Sequence, residues 1–226
     1  TYELKSNTTA SNYNIEVKFG ELKVTPFTDK VTVTIKGHED TATYDGNPHS
    51  VEGYEVTNIS NKLYKENDIG FTGEAKAEGT KAGTYQMNLT AQQFSNISQN
   101  FIDVEFVVED GSLTINPKSI TPDGPDTPDE KKTGITVTAP EDSKYDGGEH
   151  KNKPTVTDTK TDKVLVEGTD YELSYSKDVI NAGTVTVTVK GIGNYKGNFE
   201  VTYEITKRNV TLTSGSASKV YDKTAL

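Results

Sequence analysis

Apolar and polar residues alternate along much of the chain, and this alternation predicts where its strands lie. The clearest runs alternate apolar residues with threonine, lysine or glutamate at positions 31–35, 185–189 and 199–205. A period of two places one side of a strand in a core and the other side in solvent. No stretch has a convincing helical period. The pattern therefore predicts an all-β protein.

Two short motifs recur at domain-sized intervals. Tyr44-Asp45-Gly46 returns as Tyr145-Asp146-Gly147 and again, with one change, as Tyr221-Asp222-Lys223. A second motif, Ala82-Gly83-Thr84, follows the first copy at nearly the distance at which Ala182-Gly183-Thr184 follows the second. Self-similarity of this kind is the signature of tandem repeats.

The motifs divide the chain into five segments. Near the start, Thr1-Tyr2 matches Thr84-Tyr85, so the first residues correspond to the end of a repeat. Between the two complete repeats the composition changes to prolines and acids, which favour an extended, semi-rigid linker. The predicted segments are the C-terminal part of a preceding repeat at 1–28, a complete β repeat at 29–117, an acidic Pro-rich linker at 118–132, a second complete repeat at 133–207, and the N-terminal part of a following repeat at 208–226.

Each complete repeat is predicted to be an Ig-like antiparallel β-sandwich. Several short strands separated by close turn signals favour a sandwich. Antiparallel pairing is expected because parallel pairing needs long crossovers, which the spacing between the strands does not provide. The alternative is a β-grasp-like repeat, which requires a helix at 64–77 or at 152–166. Neither stretch has an apolar stripe of helical period.

Composition excludes several classes of partner and site. The formal net charge is −10 with a pI near 4.9, which argues against a nucleic-acid partner. There is no cysteine, so neither a disulfide nor a thiolate zinc site can form. No apolar run is long enough to cross a bilayer, so no membrane insertion is expected in this fragment.

The motifs together resemble the YDG-type and MBG-type repeat domains, which occur in tandem in large extracellular proteins of bacteria. The resemblance rests on the Tyr-Asp-Gly copies, on Ala-Gly-Thr before a Val/Thr strand, and on the run at 210–222. Lys223 departs from the pattern, and it would cost about 1 kcal/mol if that position needs a positive φ. The resemblance implies an extracellular adhesin, either secreted or attached to the bacterial cell surface or cell wall, with this region as a non-catalytic stalk that spaces a functional head from the cell.

Two other functions stay open at this point. One is a module that binds a glycan or a host surface protein through exposed aromatic residues, with Tyr54, Tyr64 and Tyr195 as the candidates. The other is an accessory region of a large extracellular glycan-active enzyme. No nucleophile elbow, phosphate loop or His-Glu-x-x-His run is present, so no enzyme activity and no cofactor are expected.

The Tyr-Asp-Gly motif itself is interpreted as turn chemistry. Tyrosine would anchor the turn, aspartate would accept hydrogen bonds from the turn backbone, and glycine would supply unusual dihedral angles. His49 and His150 occupy the same place after each motif, and one histidine per repeat is too few for a metal site.

The expected partners are neighbouring repeats. Incomplete repeats at the two ends would leave unpaired strand edges. These edges are expected to join adjacent sheets or to pair or swap between molecules. A covalent Lys–Asn or Lys–Asp cross-link is a further hypothesis from the resemblance, although the spacing selects no particular residues.

Overall fold

The computed structural model describes residue 3 and residues 5–225, and strands dominate this part of the chain. Its helical elements are 3-10 turns of three residues each, at Ala10–Asn12, Glu66–Asp68, Ala91–Gln93 and Asp129–Lys131. The predicted all-β class is confirmed. The match predicted for Thr1-Tyr2 lies outside the described residues.

The first repeat contains ten strands, most of them short. They are β1 (Val31–Gly37), β2 (Glu39–Thr43), β3 (His49–Glu52), β4 (Tyr54–Ile59), β5 (Ile69–Phe71), β6 (Lys76–Gly79), β7 (Gly83–Gln86), β8 (Phe94–Asn96), β9 (Val104–Glu109) and β10 (Ser112–Asn116). They form sheets in the orders β4-β1-β9, β2-β10-β7, β3-β6 and β5-β8. On β1 the alternation is complete, since Val31, Val33 and Ile35 are fully buried.

The second repeat is built on two longer strands. Its elements, together with the strand that precedes it, are β11 (Lys118–Ser119), β12 (Ile135–Thr138), β13 (Ser143–Lys144), β14 (Thr155–Asp158), β15 (Lys163–Val164), β16 (Tyr171–Tyr175), β17 (Gly183–Gly191), β18 (Tyr195–Lys196) and β19 (Asn198–Thr206). The sheet orders are β12-β14-β15, β13-β19-β17-β16 and β11-β18. Strands β17 and β19 pair antiparallel, with Val187 opposite Val201.

The expectation of purely antiparallel pairing is wrong. In the first repeat β2 pairs parallel with β10, and in the second β13 pairs parallel with β19. Each of these two pairs joins a strand near the start of a repeat to the strand that closes it. The body of the repeat supplies the long crossover, so no local crossover is needed.

The β-grasp alternative lacks the helix on which it depended. Residues 64–77 contain a 3-10 turn, β5 and the start of β6, and residues 152–166 contain β14 and β15. Short extended segments bounded by turns replace the helix in both stretches.

Two compact units can be distinguished in the chain. The first comprises Thr1–Ile35, Val56–Gly73 and Ala91–Val107. Aromatic rings fill much of it: Phe101 lies 5.7 Å from Phe27 and 5.1 Å from Tyr64 between ring centroids, and Phe94 lies 5.9 Å from Phe106. Edge-on and offset contacts of this kind are the favoured geometry for aromatic pairs.

The second unit comprises Lys36–Glu55, Glu74–Thr90 and Val108–Leu226. One core cluster in it is aliphatic with a single tyrosine: Val179, Val185, Val187, Tyr203 and Ile205 are buried together. Leu113 and Ile115 on β10 are also buried.

The two terminal segments do not form the strands expected of partial repeats. Leu22 is 94% exposed and Leu212 is 92% exposed, and residues 210–213 have no strand structure. Both segments lack a partner strand in the described chain, and an unpaired strand gains neither ladder bonds nor buried area.

Candidate functional site: the joint between the repeats

All three copies of the Tyr-Asp motif form the same turn. The aspartate Oδ1 accepts a hydrogen bond from the backbone N–H two residues later, at 2.9 Å in Asp45, 2.8 Å in Asp146 and 3.0 Å in Asp222. The residue directly after the aspartate has a positive φ: 82° at Gly46, 89° at Gly147 and 68° at Lys223. The third turn therefore keeps its geometry with a residue for which that conformation is unfavourable.

A histidine lies against the aspartate in the two complete copies. His49 Nε2 is 2.9 Å from Asp45 Oδ1, and His150 Nε2 is 3.0 Å from Asp146 Oδ1. The second contact does not meet hydrogen-bond geometry, and it is an ion pair only if the imidazole is protonated. No group of three or more metal-ligating side chains occurs among the residues that the structure describes.

Hydrogen bonds to the turn aspartates lower their pKa values. Burial would raise the pKa of Asp45, but the Asn47 N–H and the His49 ring outweigh it, and the net pKa is lowered. The N–H of Gly148 is the main cause of the lowered pKa of Asp146. In Asp222 the main cause is Lys219. All three aspartates are therefore held as carboxylates that accept from the turn backbone.

The first Tyr-Asp-Gly turn is also a contact surface for the second repeat. The Tyr44 ring packs edge-on against Tyr195, with 5.6 Å between ring centroids. A Cβ on Gly46 would lie 3.0 Å from Thr161 Cγ2. The second repeated motif takes part as well, because the Ala82 N–H donates to Asn194 Oδ1 at 2.8 Å. Both motifs that mark the first repeat thus contact the second repeat.

The loop that meets these motifs, residues 191–197, is closed by hydrogen bonds between its own backbone groups. Gly191 N–H donates to Gly197 O at 2.9 Å, and Tyr195 N–H donates to Ile192 O at 3.0 Å. Gly193 and Gly197 have positive φ values of 62° and 84°. Glycine is the residue that adopts this conformation without strain, which explains the glycine-rich sequence.

A buried ion pair lies beneath this loop. Lys118 Nζ is 2.7 Å and 2.6 Å from the two carboxylate oxygens of Asp158, and Tyr195 Oη donates to Oδ2 at 3.1 Å. Lys118 is 5% exposed and Asp158 is 0% exposed. Burial raises the pKa of Tyr195, and the Asp158 charge raises it further. The phenol therefore stays a hydrogen-bond donor to the carboxylate.

Backbone pairing fixes the position of Lys118. Strand β11 pairs parallel with β18, with Lys118 opposite Tyr195. The Lys118 N–H donates to Asn194 O at 2.9 Å, and the Ile120 N–H donates to Lys196 O at 2.9 Å. Ile120 is fully buried. We call these contacts of Tyr44, Gly46, Ala82 and residues 118–120 with the second repeat the joint.

Part of the predicted linker therefore belongs to the joint, and the rest is not extended. Asp123 Oδ1 accepts from the Thr133 N–H at 2.7 Å, and Oδ2 accepts from the Gly134 N–H at 2.7 Å. These bonds close residues 123–134 into a loop. The Asp123 carboxylate provides a local acceptor that holds the two ends together despite the prolines.

A similar arrangement occurs where the N-terminal segment meets the first repeat. The Phe27 N–H donates to Asn100 O at 2.8 Å, as Lys118 does to Asn194 O. Phe27 forms an isolated parallel bridge with Phe101. Here the side chain that follows the proline packs on the Phe101 ring, and no ion pair forms with it among the described residues.

Two of the three candidate ligand-contacting aromatics are not exposed, contrary to the expectation. Tyr64 is 1% exposed and Tyr195 is 2% exposed, while Tyr54 is half-buried. Tyr64 Oη donates to Asp68 O at 2.9 Å. Glycine-rich loops are usually exposed, and Tyr195 is buried because its loop is covered by the joint.

Sequence reasoning missed Lys118, Asp158 and Asn194. A signal was present in the pairs Pro26-Phe27 and Pro117-Lys118, and in Asn100-Phe101 and Asn194-Tyr195. Each pair recurs at the same place in its repeat. The lysine and the aspartate by themselves have no feature that separates them from surface charges.

The fold is all-β, and residues 29–117 and 133–207 share the turn motif and a parallel pairing with their closing strand. Residues 29–117 match the model of the MBG domain, a domain found in bacterial surface proteins. The predicted resemblance to MBG-type repeats is thus confirmed. No curated protein and no solved structure matches the chain significantly. No helix in the described part of the chain has the length and apolar character needed to cross a membrane.

Proposed function

We propose that these repeats are a non-catalytic spacer in a bacterial cell-surface or secreted adhesin, and that the joint keeps consecutive repeats in a fixed orientation. The MBG match supports the surface assignment. A stalk has to transmit position from its base to its head, so the connections between repeats matter more than exposed side chains. Flexible connections would let the head collapse onto the surface.

The observation that carries this proposal is the buried contact of Lys118, Asp158 and Tyr195. A buried ion pair is stable only while its two charged groups stay in contact, because separating them leaves a buried charge without compensation. The parallel pairing of β11 with β18 adds backbone bonds to it. These contacts favour a single orientation of one repeat relative to the next. The burial of Tyr64 and Tyr195 leaves the glycan-binding alternative without comparable support.

The test compares equivalent tyrosines in the two repeats. Tyr44 is 9% exposed and packs on Tyr195, whereas Tyr145 is 38% exposed. In ¹⁵N relaxation measurements, we expect β10 and β19 of the unmodified chain to tumble with one correlation time. Tyr44→Ala should give the two strands different correlation times, and Tyr145→Ala should not. Independent tumbling in the unmodified chain would refute the spacer proposal.

A further inference from the structure

We infer that residues 208–210, together with the exposed Tyr145-Asp146-Gly147 turn, form a docking surface for a further repeat that presents an Asn-aromatic loop over a buried carboxylate. The inference rests on the proposed spacer function and extends it to a specific partner. It follows from the structural equivalence of the two closing strands.

Backbone contacts establish that equivalence. The Tyr44 N–H donates to Asn116 O at 2.9 Å, and the Tyr145 N–H donates to Thr206 O at 2.9 Å. Asn116 and Thr206 are therefore matching positions at the ends of β10 and β19. Counting two and four residues onward, Arg208 corresponds to Lys118 and Val210 corresponds to Ile120.

The equivalent positions differ sharply in exposure. Ile120 is 0% exposed, whereas Val210 is 76% exposed. Arg208 is exposed, and Lys118 is buried. A Cβ on Gly147 would have nothing within 4 Å, whereas one on Gly46 would meet Thr161. The second repeat thus has the same surface that the joint covers on the first repeat.

The chemistry of the partner follows from two places in the chain: the contact of the N-terminal segment with the first repeat, and the joint. At the first, an aromatic residue, Phe27, packs on the aromatic ring of Phe101. At the second, a cation, Lys118, binds a carboxylate. At the position shared by Phe27, Lys118 and Arg208, the side chain is therefore aromatic where it contacts an aromatic ring and cationic where it contacts a carboxylate. Arginine has a planar fork of donors suited to a carboxylate, so Arg208 specifies an acidic site.

The rest of the partner is defined by the other joint contacts. An asparagine side chain would accept from the Ala182 N–H, as Asn194 does from Ala82. An aromatic ring would cover Tyr145, as Tyr195 covers Tyr44. The second repeat of this chain has all three features, so a copy of it is a suitable probe.

The experiment extends the chain: residues 1–210 are followed by a second copy of residues 121–226. Amide hydrogen exchange is measured at Arg208 and Val210, with Lys118 and Ile120 as the reference in the same molecule. We expect exchange at Arg208 and Val210 to be at least about tenfold slower than in the unextended chain, because both amides gain acceptors. Arg208→Lys should keep the protection, and Arg208→Glu should abolish it.

A second extension tests the matching of residue and site. Here residues 1–208 are followed by residues 28–117, whose receiving site contains Phe101 and Tyr64 in place of a carboxylate. We expect little protection with Arg208 and restored protection with Arg208→Phe. Equal protection of Arg208 in both extensions would overturn the proposed specificity.

The outcomes separate this inference from the spacer proposal. Protected Lys118 and Ile120 with unprotected Arg208 and Val210 would overturn the inference and leave the spacer intact. Unprotected amides at all four positions would refute both. A third repeat that fails to fold after Arg208 would also count against the inference, because the same repeat folds after Lys118.

Discussion

At the scale of single residues, the joint depends on a lysine whose charge is compensated inside the protein. Asp158 accepts hydrogen bonds from Lys118 and Tyr195 and from the backbone N–H groups of Lys160 and Thr161. Both carboxylate oxygens thus accept from more than one donor. A buried pair contributes little net stability when complete, but removal of one partner is costly.

Lys118→Met should destabilise the chain by about 3–5 kcal/mol, because it leaves the Asp158 charge buried without its cation. The matched control is Lys153→Met, which removes an ion pair of nearly equal length, 2.7 Å to Glu167, from an exposed position. That change should have little effect on the free energy of unfolding, because exposed ion pairs are screened by solvent. Urea unfolding of both variants measures the difference. Similar losses in the two variants would contradict the role given to Lys118.

The same contacts make a covalent Lys118–Asp158 cross-link unfavourable. Lys118 and Asp158 form an ion pair in which the carboxylate accepts hydrogen bonds from four donor groups, and a lysine held as an ammonium has no lone pair with which to attack the carboxylate carbon. Intact mass spectrometry should therefore give the mass of the unmodified sequence. Loss of one water from the intact chain would show that the amide forms.

At the scale of elements, the Tyr-Asp-Gly turn serves both its own repeat and the joint. Turn chemistry could be predicted from the sequence because Asp and Gly in succession have few other uses. The contact with the second repeat could not, since it depends on which residues the parallel closing strand brings beside the turn. The alternation of apolar and polar residues is the same in parallel and antiparallel strands. The parallel pairing of β2 with β10 and of β13 with β19 could therefore not be predicted from it.

The two turn glycines should differ in their tolerance of alanine. Gly147→Ala should cost about 1–2 kcal/mol for the positive φ alone, because the site is open. Gly46→Ala should cost more, since its Cβ also meets Thr161 Cγ2. In thermal unfolding, adding Thr161→Ser should recover the excess cost of Gly46→Ala. Equal costs at the two glycines would contradict the contact.

The loop closed by Asp123 should be sensitive to acid. Burial would raise the pKa of Asp123, but the N–H groups of Thr133 and Gly134 and the Thr133 hydroxyl lower it below its usual 3.8. A lowered carboxyl pKa stabilises the fold above pH 3.8, and this contribution is lost as the pH falls through the folded-state pKa.

Asp123→Asn should therefore lower the free energy of unfolding at pH 7 by about 1 kcal/mol, and the difference from the unmodified chain should shrink below pH 3.8. Urea midpoints at neutral and acidic pH provide the measurement. Asp126→Asn, an exposed change in the same loop, is the control and should have no effect at either pH. A constant difference at both pH values would rule out the titration of Asp123 as its cause.

At the scale of the whole molecule, the repeats could be read from the sequence more easily than their connection. Recurrence of Tyr-Asp-Gly and alternation on β1, β17 and β19 predict an all-β tandem array. The joint is made by Lys118, Asp158 and Tyr195, which look like an ordinary surface charge pair and a loop aromatic. Burial of such residues depends on contacts between distant segments. The recurring residue pairs around Lys118 and Tyr195 mark these positions in the sequence but do not show that they are buried.

The joint, and not the loop that follows it, should determine the connection between the repeats. Replacing residues 124–131 with glycine and serine at equal length should leave the Lys118 and Ile120 amides protected from exchange. Both amides bond to Asn194 and Lys196 before the loop begins. Faster exchange at these two amides would show that the loop is required to hold the joint together.

The buried position of Lys118 and Ile120 means that a repeat as counted in the sequence differs from a repeat as it folds. The second repeat borrows residues 118–120 from the segment upstream of it, so a boundary drawn before Thr133 would remove residues that complete its body. Recombination between genes for such arrays is therefore restricted in where it can cut. An exchanged repeat keeps its buried contacts only if the borrowed segment upstream of it is exchanged with it.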